Sequence, residues 1–273
     1  MTRIEAANET AEPGGTLFSR AAAMMQPWLT SFAALRANPY DWAREGLLRN
    51  RGRLMQRAYR LPAVQLSSLA SVADCRSEAI LDRILLPPFC AGRHDDFSAL
   101  MSIVKAQQPR IVVELGTSYG NTVANICRVC PEARVYTVNA LPEQITGTLI
   151  THALTREEIG SVYRRQGFSS QVEQIYCDTL NLDLSKYLSE PVADLAIVDA
   201  CHDPRHVIND FHKVAPYMRR QGIVLLHDTH PSMRGHLWGS YMGCMKLRMN
   251  GYEIQHVSGT WWGVWRNPGA AQS

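Results

Sequence analysis

Two short stretches carry the side chains best suited to chemistry: IVDACHD at residues 197–203 and IVLLHDTH at 223–230. Each is an apolar run that delivers an acid, as a buried strand does at its exit. Asp199 and Asp228 are then expected at the carboxyl ends of adjacent parallel strands, the edge where open α/β sheets bind ligands. His202 follows Asp199 by three residues, and His227 and His230 flank Asp228. Two carboxylates brought together repel each other unless one is protonated or a cation bridges them. Oxygen ligands suit Mg²⁺, and added imidazole also suits Mn²⁺ or another transition metal.

A second corner lies upstream in RIVVELGTSYGNT, residues 110–122, where Gly116 and Gly120 bracket small polar groups. Glycines between a strand and a helix let the backbone approach a ligand, with the free N–H groups of the helix facing it. A dinucleotide fingerprint would read GxGxxG, whereas this corner has GxxxG without a third glycine. The acid before the first glycine suits a cationic ligand. Glu114 can hold the ammonium of an amino-acid moiety while the loop amides face its carboxylate. A tight turn that binds nothing is the bland alternative.

The elements that must position these residues follow from periodicity. Strands are expected at 110–115, 134–138, 172–176, 194–198 and 223–226, with helices at 96–107, 121–130, 157–165, 204–218 and 237–249 between or after them. Segments 252–257 and 260–265 are spaced to pair as a hairpin. The pattern predicts an α/β fold: a Rossmann-like, seven-stranded, mostly parallel sheet with an antiparallel terminal hairpin. Upstream, spacings of three and four from Leu17 to Leu61 predict a helical extension, while 62–93 read as loop and short helix. The divisions expected are a disordered tail over 1–15, the extension over 16–94, the α/β domain over 95–267 and a tail over 268–273.

With these motifs in place, residues 95–267 resemble the class I S-adenosylmethionine-dependent methyltransferases. VVELGTSYGNT resembles the motif that holds the methionine end of the donor, which implies contacts from Glu114, Gly116, Ser118, Gly120 and Thr122. The reversed hairpin strand resembles the seventh strand of that fold. By the same likeness Asn139, where relatives carry an acid, falls at the ribose hydroxyls, and Asp178 falls at the adenine amino group. Asp199 is placed beside the donor too. The resemblance extends to metal-dependent O-methyltransferases, which implies Asp199 and Asp228 as ligands of Mg²⁺ or Mn²⁺. His202 takes the place of the base, and Thr229, His227 or His230 is left as a further ligand. The implied activity is O-methylation of a small-molecule or sugar hydroxyl. A non-catalytic nucleoside-binding module, or other chemistry at the metal and histidines, stays open.

Composition bounds the rest. The 273 residues are 46% hydrophobic and 19% charged, as expected of a chain with a core. The net charge of +3 gives no reason to expect nucleic-acid binding. Arginines concentrate between Arg36 and Arg60, seven against Asp41 and Glu45, a solvated helical face or a peripheral surface for an acidic partner. No apolar run approaches the roughly 18–20 residues of a membrane-spanning helix. The N-terminus lacks the apolar segment of a secretory signal, and seven scattered cysteines fit reduced thiols, so a cytoplasmic protein, with a homodimer allowed, is expected. Cys127 and Cys130 read as core thiols, since a zinc site would need a second pair. Thr155 and Glu158 have the spacing of a capping box.

Overall fold

Nearly continuous apolar runs make the central strands, because helices cover both faces of a parallel sheet. The computed structural model describes residues 47, 60–70, 94–145, 154–229 and 238–269, all within one unit, Leu47–Ser273. In chain order it contains β1 (Ala63–Val64), α1 (His94–Gln107), β2 (Ile111–Leu115), α2 (Asn121–Val129), β3 (Arg134–Asn139), α3 (Ser161–Arg165) and β4 (Val172–Tyr176). Then follow β5 (Ala193–Val198), α4 (Pro204–Val214), β6 (Met218–Leu226), α5 (Trp238–Met249), β7 (Gln255–Val257) and β8 (Gly263–Arg266). The arginine-rich stretch save Leu47 and Arg60, the helices expected upstream, and His230 lie outside the described residues.

The sheet runs β1-β7-β8-β6-β5-β2-β3-β4. Pairing is parallel except at β8, which lies antiparallel between β6 and β7. The expected hairpin is therefore present, and its second strand is the reversed one. An eighth strand adds to the seven expected: Ala63 and Val64 pair in parallel with His256 and Val257. Two residues carry no periodic signal, so β1 exists only because β7 offers it an edge.

Side chains alternate between two cores. Val112, Val135 and Val172 point to the face covered by α1 and α2, whereas Val113, Leu115 and Val198 point to the face covered by α4 and α5. Helix α4 ends at Val214, earlier than expected, because Pro216 diverts the chain into a 3-10 turn at Ala215–Tyr217. The capping box forms, with Thr155 N donating to Glu158 Oε2 at 2.8 Å and Glu158 N to Thr155 Oγ1 at 3.3 Å. It closes only a turn, since Gly160 adopts φ +71° and the helix restarts at Ser161. Cys127 and Cys130 are buried free thiols, and burial pushes Cys127 up to about 12, as a core role requires. Among the described residues no helix is long and apolar enough to cross a membrane.

At the amino ends of the central strands, Asp194 anchors the start of β2. Its Oδ2 accepts from the backbone N–H of Arg110 at 2.7 Å and of Ile111 at 2.8 Å, and its other oxygen pairs with Arg219. Replacing Asp194 with alanine strands two backbone donors and is expected to cost about 2–4 kcal/mol. Chemical denaturation of Asp194→Ala and Asp194→Asn checks this, the asparagine keeping an acceptor and losing less.

Candidate active site

From β2 the chain winds outward through β3 and β4, then returns to β5 and β6 on the other side. The winding therefore reverses between β2 and β5, and the crevice at their carboxyl ends is the expected binding place. Asp199 N donates to Leu115 O at 2.8 Å, holding the two exits together. Gly116 comes next at φ +108°, and a Cβ there would overlap the carbonyl oxygen of Asp199. Only glycine fits. Gly120, at φ +82°, is needed for a second reason: a Cβ would stand 2.7 Å from the Tyr163 ring and 2.9 Å from Gly160 Cα.

Several expected contacts of the donor gather on this loop. Gly116 N and Thr117 N donate to Val138 O at 2.9 and 3.2 Å, and Gly120 N donates to Thr117 O at 2.8 Å. Ser118 is exposed at φ +49°, and its N–H donates to Asn139 Oδ1 at 3.0 Å. Asn139 also donates from Nδ2 to Ala140 O at 2.8 Å, so the amide expected at the ribose is already engaged by backbone. Thr122 lies half-buried in the first turn of α2. Asp178 is buried one strand further out, its Oδ1 accepting from Leu180 N at 3.0 Å to cap a 3-10 turn. The connection between β3 and β4 docks on the loop, Gly160 N donating to Ser118 O and Val162 N to Tyr119 O, both at 2.9 Å.

Glu114 is buried and accepts from Thr137 Oγ1 at 2.6 Å. Burial pushes its carboxyl up to about 8; the Thr137 hydrogen bond opposes the shift and the Asp199 charge adds to it. A cationic ligand would reverse that shift.

Across the crevice, Asp199, His202, His227 and Asp228 form one cluster. His202 Nε2 lies 2.6 Å from Asp228 Oδ2 and 3.7 Å from Asp199 Oδ1. His227 Nδ1 lies 3.2 Å from Asp199 Oδ1 and 3.5 Å from Asp228 Oδ1, and its Nε2 is 3.9 Å from Asp96 Oδ2. Asp228 is buried at φ +59°, a left-handed conformation that aspartate tolerates better than most residues. Burial alone would lower the pKa of His202, but hydrogen bonds to Asp199 and Asp228 raise it to about 10. Burial would lower His227 as well, but the charges of Asp199 and Asp228 raise it well above its ordinary value. Burial works against the charge on Asp199, yet the two histidines hold its carboxyl well below the usual range. An imidazolium gives a proton and does not take one. His202 can therefore act as a base either above its pKa or when the charge of these carboxylates is engaged elsewhere.

Ligand atoms of Asp199, His202 and Asp228 all lie within 4.8 Å of one another, and two carboxylates with an imidazole suit Mg²⁺ or Mn²⁺. His227 sits behind the carboxylates, its ring 4.4 Å from that of Trp262. Thr229 is directed elsewhere. It is fully buried, its N–H and hydroxyl both donate to Trp261 O at 2.8 and 3.0 Å, and its hydroxyl lies 3.4 Å from His256 Nδ1. Its partners come from the terminal hairpin, 27 and 32 residues further along the chain, beyond the reach of local spacing.

Sequence reasoning missed Asp96, Thr137 and Gln174. Asp96 Oδ1 accepts from Trp261 N at 2.7 Å, and its backbone oxygen from Trp262 Nε1 at 2.9 Å, tying α1 to the hairpin beside His227. The available signal for Thr137 and Gln174 was a polar residue two positions after a valine in three successive strands: VVE, VYT and VEQ.

Because the folded chain holds a proton on Glu114 that the unfolded chain has released, stability should fall between about pH 4.3 and pH 8. Thermal unfolding of wild type and Glu114→Gln across that range checks this; the difference between them should change with pH and then level off above 8. Gly116→Ala should cost several kcal/mol, roughly 2–4, through overlap and positive φ.

Solved structures share this architecture. The methyltransferase PaMTH1 of Podospora anserina, bound to S-adenosylhomocysteine, is similar at a TM-score of 0.50 and 14% identity, over 66% of this chain and 82% of that one. The O-methyltransferase TomG of Streptomyces achromogenes, involved in tomaymycin synthesis and solved with S-adenosylmethionine, matches at 18% identity and a TM-score of 0.49 over 74% and 93%. An O-methyltransferase of Bacillus cereus in complex with S-adenosylhomocysteine matches at 16% identity and 0.48 over 74% and 98%. No curated protein matches the sequence. Residues 113–229, which run from β2 to Thr229, match the family described as Methyltransferase domain. That match, with a sheet whose β8 lies reversed between β6 and β7, supports a class I S-adenosylmethionine-dependent methyltransferase.

Proposed function

We propose that the protein transfers the methyl group of S-adenosylmethionine to a hydroxyl of a small molecule or sugar, with a divalent metal, Mg²⁺ or Mn²⁺, held by Asp199 and Asp228. One observation carries this reading: the Asp199–His202–Asp228 cluster and the glycine corner share one sheet edge and meet where Gly116 packs on Asp199. A transfer site needs its donor and its base that close. Glu114 holds the ammonium of the donor, and the loop from Gly116 to Thr122 surrounds its methionine end. When bound, the metal would lower the pKa of the acceptor hydroxyl and engage the carboxylate charge that otherwise keeps His202 protonated. His202 then takes the hydroxyl proton. The acceptor oxygen bonds to the methyl carbon as the sulfur–carbon bond breaks, leaving a thioether. Holding both reactants in line supplies much of the acceleration.

A second reading has its own support. At 2.6 Å from Asp228, His202 forms a histidine–aspartate pair able to act without metal. That route needs neutral His202, so activity after chelation should climb toward pH 10. Metal-loaded enzyme should reach its plateau earlier.

S-adenosylhomocysteine formation from S-adenosylmethionine in the presence of a panel of catechols and glycosides, with chelator or with Mn²⁺, tests both readings. His202→Ala should lower turnover by about 10²–10⁴-fold while leaving affinity for S-adenosylhomocysteine nearly unchanged; parallel losses would count against a role as base. Asp199→Ala and Asp228→Ala should each abolish the response to metal. Persistence of that response in both would end the metal assignment.

A further inference from the structure

We infer that Thr137, Thr117, Gln174 and Tyr163 form a hydrogen-bonded chain that positions Glu114 for the amino-acid end of the donor, an inference that rests on the proposed function. Glu114, Thr137 and Gln174 occupy matched positions on β2, β3 and β4. The equivalent row two residues earlier is Val112, Val135 and Val172, all in the core. The same sheet face thus changes from apolar to polar one or two residues before the strands end.

The direction of each bond can be assigned. Gln174 Nε2 donates to the backbone oxygen of Thr137 at 3.2 Å, an acceptor only, which fixes the orientation of the amide. Gln174 Oε1 therefore accepts from Tyr163 OH at 3.1 Å, and Nε2 also donates to Thr117 Oγ1 at 3.0 Å. Thr117 keeps its own proton for Thr137 Oγ1, 2.7 Å away, because the single proton of Thr137 goes to Glu114 Oε2 at 2.6 Å. Every link donates toward the carboxylate. Such aligned bonds polarise one another when buried, and Thr117, Thr137 and Tyr163 are all buried.

The far end returns to the same corner. The Tyr163 ring packs against Gly120 and Gly160, and Gly160 donates to Ser118 O. Glu114 is thereby braced from the loop that would surround the ligand as well as from the sheet. Filling the core alone would need only apolar side chains here. The chain instead fixes which way the carboxylate faces and favours its ionised form. These four are positioning residues, since they act through Glu114.

The test is calorimetric titration of S-adenosylhomocysteine and of 5′-methylthioadenosine, which lacks the amino-acid moiety. Thr137→Val should weaken S-adenosylhomocysteine binding about tenfold or more, the effect of losing a hydrogen bond to a charged group, with methylthioadenosine affinity kept within about twofold. Thr137→Ser should restore wild-type behaviour. Tyr163→Phe, at the other end, should weaken only S-adenosylhomocysteine, by a smaller factor, and it keeps the idea testable if Thr137→Val fails to fold. Equal affinity of wild type and both chain variants, or equal losses for the two ligands, would overturn the inference while leaving the donor site in place. Failure of wild type itself to bind S-adenosylhomocysteine would overturn the proposed function and this inference together.

Discussion

Everything at the carboxyl edge of the sheet depends on the contact between Gly116 and the backbone of Asp199. Parallel pairing brings β2 and β5 out together, and the bond from Asp199 N to Leu115 O keeps them in step to the last residue. Any side chain at 116 would push these exits apart. With glycine there, a loop shaped for close backbone approach lies directly against the residue that opens the Asp–His cluster. Two functional halves far apart in sequence are fixed by one missing Cβ.

The electrostatics follow from that closeness. Buried Asp96, Glu114 and Asp228 converge with the partly exposed Asp199, opposed by His202 and His227. A buried acid tends to hold its proton unless a cation stabilises its charge, and the two acid groups meet that requirement differently. Asp199 is held ionised by the histidines, whereas Glu114, with only a hydroxyl donor, retains its proton to about pH 8. The glycine corner is thus short of positive charge in a way the Asp–His cluster is not. A ligand carrying an ammonium fits the first place. The second suits a divalent metal that would engage the carboxylates of Asp199 and Asp228.

Legibility tracked the range of the interaction. Strands at 172–176 and 111–115, the glycine corner and the two acids at strand exits are local patterns, and the structure places them nearly as the periodicity implies. The reversed strand was legible from two β-rich segments a turn apart. Thr229 was not, because its hydroxyl answers to Trp261 and His256 across the sheet. Asn139 was legible as a strand-end amide, but its bond to Ser118 N depends on how β3 lies beside the loop. The base role that the resemblance implies for His202 likewise meets a tertiary context no local pattern carries, since Asp228 comes from 26 residues downstream. The Thr137–Gln174 row left a trace in three strands that becomes meaningful only once their register is known.

The central claim is that one crevice receives the donor and faces its reactive end toward the Asp–His cluster. A crystal structure with S-adenosylhomocysteine tests it most directly. The account predicts the ligand's ammonium against Glu114, its carboxylate beside the loop from Gly116 to Thr122 and its sulfur turned toward Asp199 and His202. A ligand seated elsewhere on the sheet, or in the crevice with its sulfur pointing away from that cluster, would contradict it.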